Sequence, residues 1–146
     1  MRPDEKPTST THALAHATFI ISGESVSPEF WSAYFDMQPD REITKGQSFR
    51  LPSGKPSPRL GKLGLWAVES KAAVHSNHLG PHLKYLTGRL GLPRADLREL
   101  TQAQGAKVAL WCYWVNETGD RVPDVPDDIR AMIEAMGGTI EIDEYR

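Results

Sequence analysis

Disulfide chemistry is excluded at the outset, because the chain has a single cysteine, Cys112, and a covalent staple needs two. A thiol set among apolar neighbours packs as a small inert hydrophobe, and sparing cysteine use fits a reducing, cytoplasmic compartment. Long apolar runs are missing too: none approaches the ~20 residues that cross a bilayer, so no membrane association is expected. The opening stretch MRPDEKPTSTTHALAHA has two prolines and both charge signs, and lacks the continuous apolar segment of a signal peptide. Charge of one sign is absent region by region. Ile43 to Val68 contains Lys45, Arg50, Lys55, Arg59 and Lys62 and no acid; Glu117 to Glu144 contains nine acids against Arg121 and Arg130 alone. The net charge of −2 therefore conceals two regions of opposite potential, each able to steer a charged partner.

A chain of 146 residues is most simply one domain. Residues 1–16 read as a mobile N-terminal tail and 17–146 as a single domain. Thr18 to Ser22 is a strand stopped by Gly23. In SVSPEFWSAYFDM, Ser27 is the N-cap, Pro28 takes the first helical position and Glu29 sits in the positive first turn. Trp31 with Phe35, and Phe30 with Tyr34, make an aromatic helix face that should lie on a sheet. Glu42–Phe49 and Leu63–Ser70 are strands, separated by a loop whose three prolines and glycine forbid a regular ladder. Leu79, Leu83, Leu86 and Leu90 form a helical stripe ended by Gly91 and Pro93. A shorter helix over Ala95–Gln104, the strand VALWCYWV from Val108 to Val115, a helix capped by Asp127 and a last strand Thr139–Tyr145 follow. The order βαββααβαβ predicts an α+β fold: a mixed, mostly antiparallel sheet of about five strands with three to four helices mainly on one face.

Side chains along a strand point alternately to opposite faces. In VALWCYWV both phases are apolar or aromatic: Val108, Leu110, Cys112 and Trp114 on one side, Ala109, Trp111, Tyr113 and Val115 on the other. Too few helices are available to cover both sides. One phase joins the core and the other emerges beside the outward residues of the last strand, Glu141, Asp143 and Tyr145; the pattern alone leaves open whether Trp111 and Tyr113 or Trp114 is exposed.

The ordered motifs FIISG (Phe19–Gly23), SPE (Ser27–Glu29), ITKGQ (Ile43–Gln47), LWAVES (Leu65–Ser70), LGPHLKYL (Leu79–Leu86) and IEIDEY (Ile140–Tyr145) resemble the bacterial domain of unknown function 4279 over about residues 18–145. The resemblance implies a small cytoplasmic bacterial α+β protein, with members that look like companions of secreted toxins, and it carries no catalytic residues to transfer.

Chemistry-bearing groups are sparse. His75, His78 and His82 are spaced H-x2-H-x3-H, but Pro81 lies among them and no thiol or carboxylate stands close in sequence, so a solvated helix start is expected rather than a metal site, and no cofactor is implied. Cys112 has no cationic neighbour to activate it. Glu141 and Asp143 share one strand face, a spacing open to acid–base work, yet nothing in sequence supplies a pocket. SGKPS (Ser53–Ser57) lacks the upstream glycine and following helix of a phosphate loop. Acids expected on the same sheet argue against nucleic acid as a partner.

The expected function is that of a non-enzymatic protein-binding domain, an immunity-type inhibitor of a basic toxin domain. Its surface would be Trp111, Tyr113, Trp114, Glu141, Asp143 and Tyr145, because Trp and Tyr dominate interface hot spots and flanking charge selects the partner. Alternatively the loop over residues 50–62, or a second protomer of a homodimer, covers the aromatics. From another class, the chain is a small-molecule or nucleotide-binding protein or enzyme that uses the basic loop 45–62 and the adjacent sheet, with Lys45, Arg59 and Trp66 gripping an anion.

Overall fold

The computed structural model describes residues 14–51 and 53–145. The chain runs β1 (Ala15–Gly23), α1 (Pro28–Phe35), β2 (Arg41–Ile43), β3 (Gly64–Glu69), α2 (Leu79–Leu90), α3 (Leu97–Ala103), β4 (Lys107–Val115), α4 (Asp127–Ala135) and β5 (Thr139–Tyr145). One five-stranded sheet has the order β2-β3-β1-β4-β5, antiparallel throughout except for the parallel β4–β5 pair, which α4 connects. Architecture and element order are those expected.

The first strand starts earlier than Thr18. Ala15 and His16 belong to β1, paired with Trp114 and Tyr113, so the domain takes in part of the segment read as a tail. The rest of that segment, up to residue 13 and including His12, lies outside the described residues. The second strand is shorter than expected, ending at Ile43. The cause is local: Gly46 adopts φ +82° and Gln47 N–H donates to the Thr44 carbonyl at 3.1 Å, which turns the chain off the sheet. Residues 44–61 then double back as an irregular hairpin held by Gly46 N–H to Gly61 O (2.9 Å), Gly61 N–H to Gln47 O (2.9 Å) and Ser57 N–H to Phe49 O (2.7 Å).

Helices pack against one side of the sheet. Ser27 caps α1 by accepting from the Phe30 N–H at 3.4 Å, and the helix lays Trp31 and Phe35 onto β3. There Phe35 stacks on Trp66 (ring centroids 5.0 Å apart, planes 19° apart), and the Trp66 indole N–H donates to Ser32 Oγ at 3.0 Å. All four leucines of the α2 stripe are fully buried. They share one core with Phe19, Ile21, Leu110 and Cys112 from the inward phase of β1 and β4. Helix α4 starts one residue after its N-cap Pro126, with Asp127 and Asp128 in its first turn rather than Asp127 as the cap. The start of α2 is completed from a distance: His78 makes no capping bond, and the Asp124 carboxylate instead accepts from Leu79 N–H (2.7 Å) and Gly80 N–H (2.8 Å). No helix among the described residues is long and apolar enough to cross a membrane.

Candidate functional site

The ambiguity of VALWCYWV is resolved by burial. Val108, Leu110, Cys112 and Trp114 face the helices, while Ala109, Trp111, Tyr113 and Val115 face the open side. Trp114 therefore leaves the candidate surface. It is 1% exposed, and the Arg121 guanidinium lies over its ring, 3.9 Å from the centroid. Arg121 is itself fixed by donating to the Val115 carbonyl at 2.6 Å and to the Asn77 carbonyl. Trp111, by contrast, is 44% exposed.

Register assembles the rest of the open face. Across β1, Thr18 is opposite Trp111 and His16 opposite Tyr113; across β5, Glu141 flanks Trp111, Asp143 flanks Tyr113 and Tyr145 flanks Val115. His16 stacks on Tyr113 at 4.5 Å with planes 8° apart, and Tyr113 meets Tyr145 at 4.9 Å. A row of three rings thus crosses β1, β4 and β5. The Tyr145 hydroxyl donates to Asp143 at 2.8 Å, which raises the Tyr145 pKa. The Glu141 carboxylate has no hydrogen-bond or ion-pair partner among the described residues. Of the residues expected on this surface, the structure brings together Trp111, Tyr113, Glu141, Asp143 and Tyr145.

A second feature adjoins the row at His16. A cleft of about 830 Å³ lies between the hairpin, at Thr44 and 47–51, and the sheet face, at Thr18, Arg41 and Leu65. Its charged lining is mixed: Arg41, ion-paired to Glu69 at 3.0 Å, Arg50 and Lys71 stand beside Asp40 and Glu42. The residues expected to grip an anion there do not line it. Trp66 is fully buried beneath α1 because its phase of β3 faces the helices; Lys45 pairs with Glu24 at 3.0 Å on the outer side of the turn; and Arg59 is exposed elsewhere on the hairpin.

Sequence reasoning missed His16, Thr18, Arg41, Glu69 and Lys71. A signal for the first two exists: His16, Thr18, Ile20 and Ser22 alternate with Ala15, Ala17, Phe19 and Ile21, a half-covered strand that only an earlier start makes visible.

Among the groups with a nucleophilic or metal-binding look, Ser70, His82 and Cys112 are engaged internally, while His75 and His78 are exposed. Ser70 and His82 lie 2.7 Å apart, as a nucleophile and base would, but they are 0% and 1% exposed. His82 Nε2–H donates to Ser76 O at 2.8 Å, which leaves Nδ1 to accept from Ser70 Oγ, and Ser70 Oγ in turn accepts from Ala17 N–H at 2.9 Å. The pair ties α2 to β1. Cys112 is buried, and burial pushes its thiol up to about 12, so it stays protonated. Among the described residues no three His, Cys, Asp or Glu gather as a metal-holding group.

The two inner histidines set an acid limit on stability. Burial, with Lys71 and then His82 adding to it, pushes His16 down from 6.5 to about 4, and burial also lowers His82. Each is neutral when folded, and the unfolded chain binds protons more readily. The His16 contribution is therefore complete above pH 6.5 and is lost as pH falls toward about 4, and that of His82 is likewise lost on acidification. Urea titrations from pH 7 to 4.5 are expected to give a falling midpoint, and His16→Phe should flatten the slope. An unchanged slope in that variant removes His16 from the account.

Comparison with known families matches residues 10–146 to the family described as Domain of unknown function (DUF4279). Searches of curated proteins and of solved structures returned no match. With nearly its whole length covered, the chain belongs to the DUF4279 family.

Proposed function

We propose that the chain is a non-enzymatic protein-binding domain that holds a basic partner on its acidic-aromatic sheet face, in the manner of an immunity protein against a co-encoded bacterial toxin. The observation that carries this reading is Trp111: an indole 44% exposed on the open face of β4, with Glu141 beside it in register and its carboxylate without a partner among the described residues. An indole left this exposed forgoes part of the stabilisation that burial would give the fold, yet it offers a partner a rigid apolar platform. Flanked by a carboxylate, that platform suits a lysine or arginine side chain, through cation–π contact and charge together.

The test is calorimetric titration of the full chain against the product of the adjacent gene. Trp111→Ala is expected to cost about 2 kcal/mol, roughly thirty-fold in Kd, and Glu141→Lys a similar amount. Arg59→Ala on the hairpin should change nothing. Unchanged affinity in both face variants rejects the surface.

A second reading, in which a small anionic ligand is bound, draws on the cleft beside His16 with its Arg41, Arg50 and Lys71. The readings separate on the variants. If a phosphorylated metabolite raises the melting temperature, and Lys71→Ala abolishes that rise while Trp111→Ala leaves it intact, the cleft is the working site.

A further inference from the structure

The sheet order ends at β5, and among the described residues no element pairs with its outer side. The polarity of that edge follows from one bond. Asn116 N–H donates to the Tyr145 carbonyl at 2.7 Å, so Tyr145 turns its main-chain groups toward β4. In a strand the N–H and C=O of one residue point to the same side and alternate along the chain. Glu141 and Asp143 therefore also bond inward, while Ile140 and Ile142 direct an N–H and a C=O each toward the open edge. Side chains alternate in the same rhythm. Ile140 and Ile142 lie on the helix side, only half-buried against the core, and Glu141 and Asp143 lie on the open face.

Native sheets usually guard such edges with short strands, bulges or charge. The opposite edge, β2, is three residues long; β5 is seven, without a proline. Its guard is the acid on its open-face side, and that guard is selective. A second copy paired antiparallel about Ile142 would set Glu141 against Asp143 twice over, and like charges directly opposite are destabilising. A strand carrying lysine or arginine at those positions is attracted instead.

We propose that the β5 edge accepts an extended segment of the partner as a sixth strand, one that alternates basic with apolar residues. Its main chain bonds to Ile140 and Ile142, its basic side chains lie against Glu141 and Asp143 on the same face as Trp111, and its apolar side chains cover the half-buried isoleucines. This rests on the protein-binding reading above and specifies the part of the partner that is recognised.

The experiment is amide hydrogen exchange by NMR on the full chain, with and without an alternating lysine–valine peptide of the length of β5. In the free protein the Ile140 and Ile142 amides are expected to exchange fast and those of Glu141 and Asp143 slowly. Peptide addition should slow Ile140 and Ile142 by at least about ten-fold. A glutamate–valine peptide should do nothing, and lysine–valine peptide N-methylated on the β5-facing amides should lose the effect, whereas methylation of the outward amides should not. Slow exchange of Ile140 and Ile142 in the free chain means that the edge is already occupied, by another part of the chain or, if protection scales with concentration, by a second copy, and overturns the proposal. So does an absence of binding, or equal binding of the two methylated peptides. Those failures leave the Trp111 titration untouched, which alone decides the wider reading; loss of the Trp111 effect with intact edge protection would mean that the strand, not the face, carries recognition.

Discussion

Trp114→Ala is expected to remove about 3–5 kcal/mol of unfolding free energy, while Trp111→Ala on the same strand changes it by less than about 1 kcal/mol. The two indoles differ in what they would leave behind. Trp114 is sealed between the helix layer and the Arg121 guanidinium, so truncation opens a cavity and deprives Arg121 of the ring it covers. Trp111 projects from the uncovered side and already meets solvent. Urea denaturation of both variants provides the measurement. Equal losses would mean that the open face is covered in solution, and the docking surface on Trp111 would go with it.

Gly64→Ala is expected to be as damaging, at about 3 kcal/mol or more, although it adds a single methyl. Gly64 starts β3 opposite Gly23 of β1, and the chain segment entering α1 crosses directly over it. A Cβ there would collide with the Val26 carbonyl oxygen, with the carbonyl carbon only 2.8 Å away. Both obstacles are main-chain atoms of a buried residue and have no rotamer through which to yield. The contrasting control is Gly88→Ala on α2, where an added Cβ meets nothing within 4 Å and the helical preference for alanine should make the change neutral or stabilising. Thermal unfolding of the pair checks the expectation; a Gly64→Ala variant as stable as the parent would mean that the Val26 crossing is loose.

Most of the architecture was legible because the signals were local. The Ser27-Pro28-Glu29 start of α1, the leucine stripe of α2 closed by Gly91, and the alternation of β5 each depend on neighbours a few residues away. The phase of β4 was not, since both of its sides are apolar; it becomes visible only when the helices bury Val108, Leu110, Cys112 and Trp114 and Arg121, a loop residue bonded to Val115 and Asn77, folds back over Trp114. The cleft was equally hidden. His16, Arg41 and Lys71 come from separate strands and a turn, and only the sheet order brings them to one place. Trp66 was misplaced for a related reason: as one of several aromatics it had no local mark to distinguish it from Trp111, and its partner Ser32 lies on a helix far along the chain.

The carboxylate that completes the first turn of α2 comes from the connection between β4 and α4, far along the chain from the helix it serves. Asp124 thereby acts as a latch between the middle of the chain and the connection that follows β4. That helix end acquires its full set of bonds only once the parallel crossover has docked, so the last part of the polypeptide to arrive finishes an element laid down well before it.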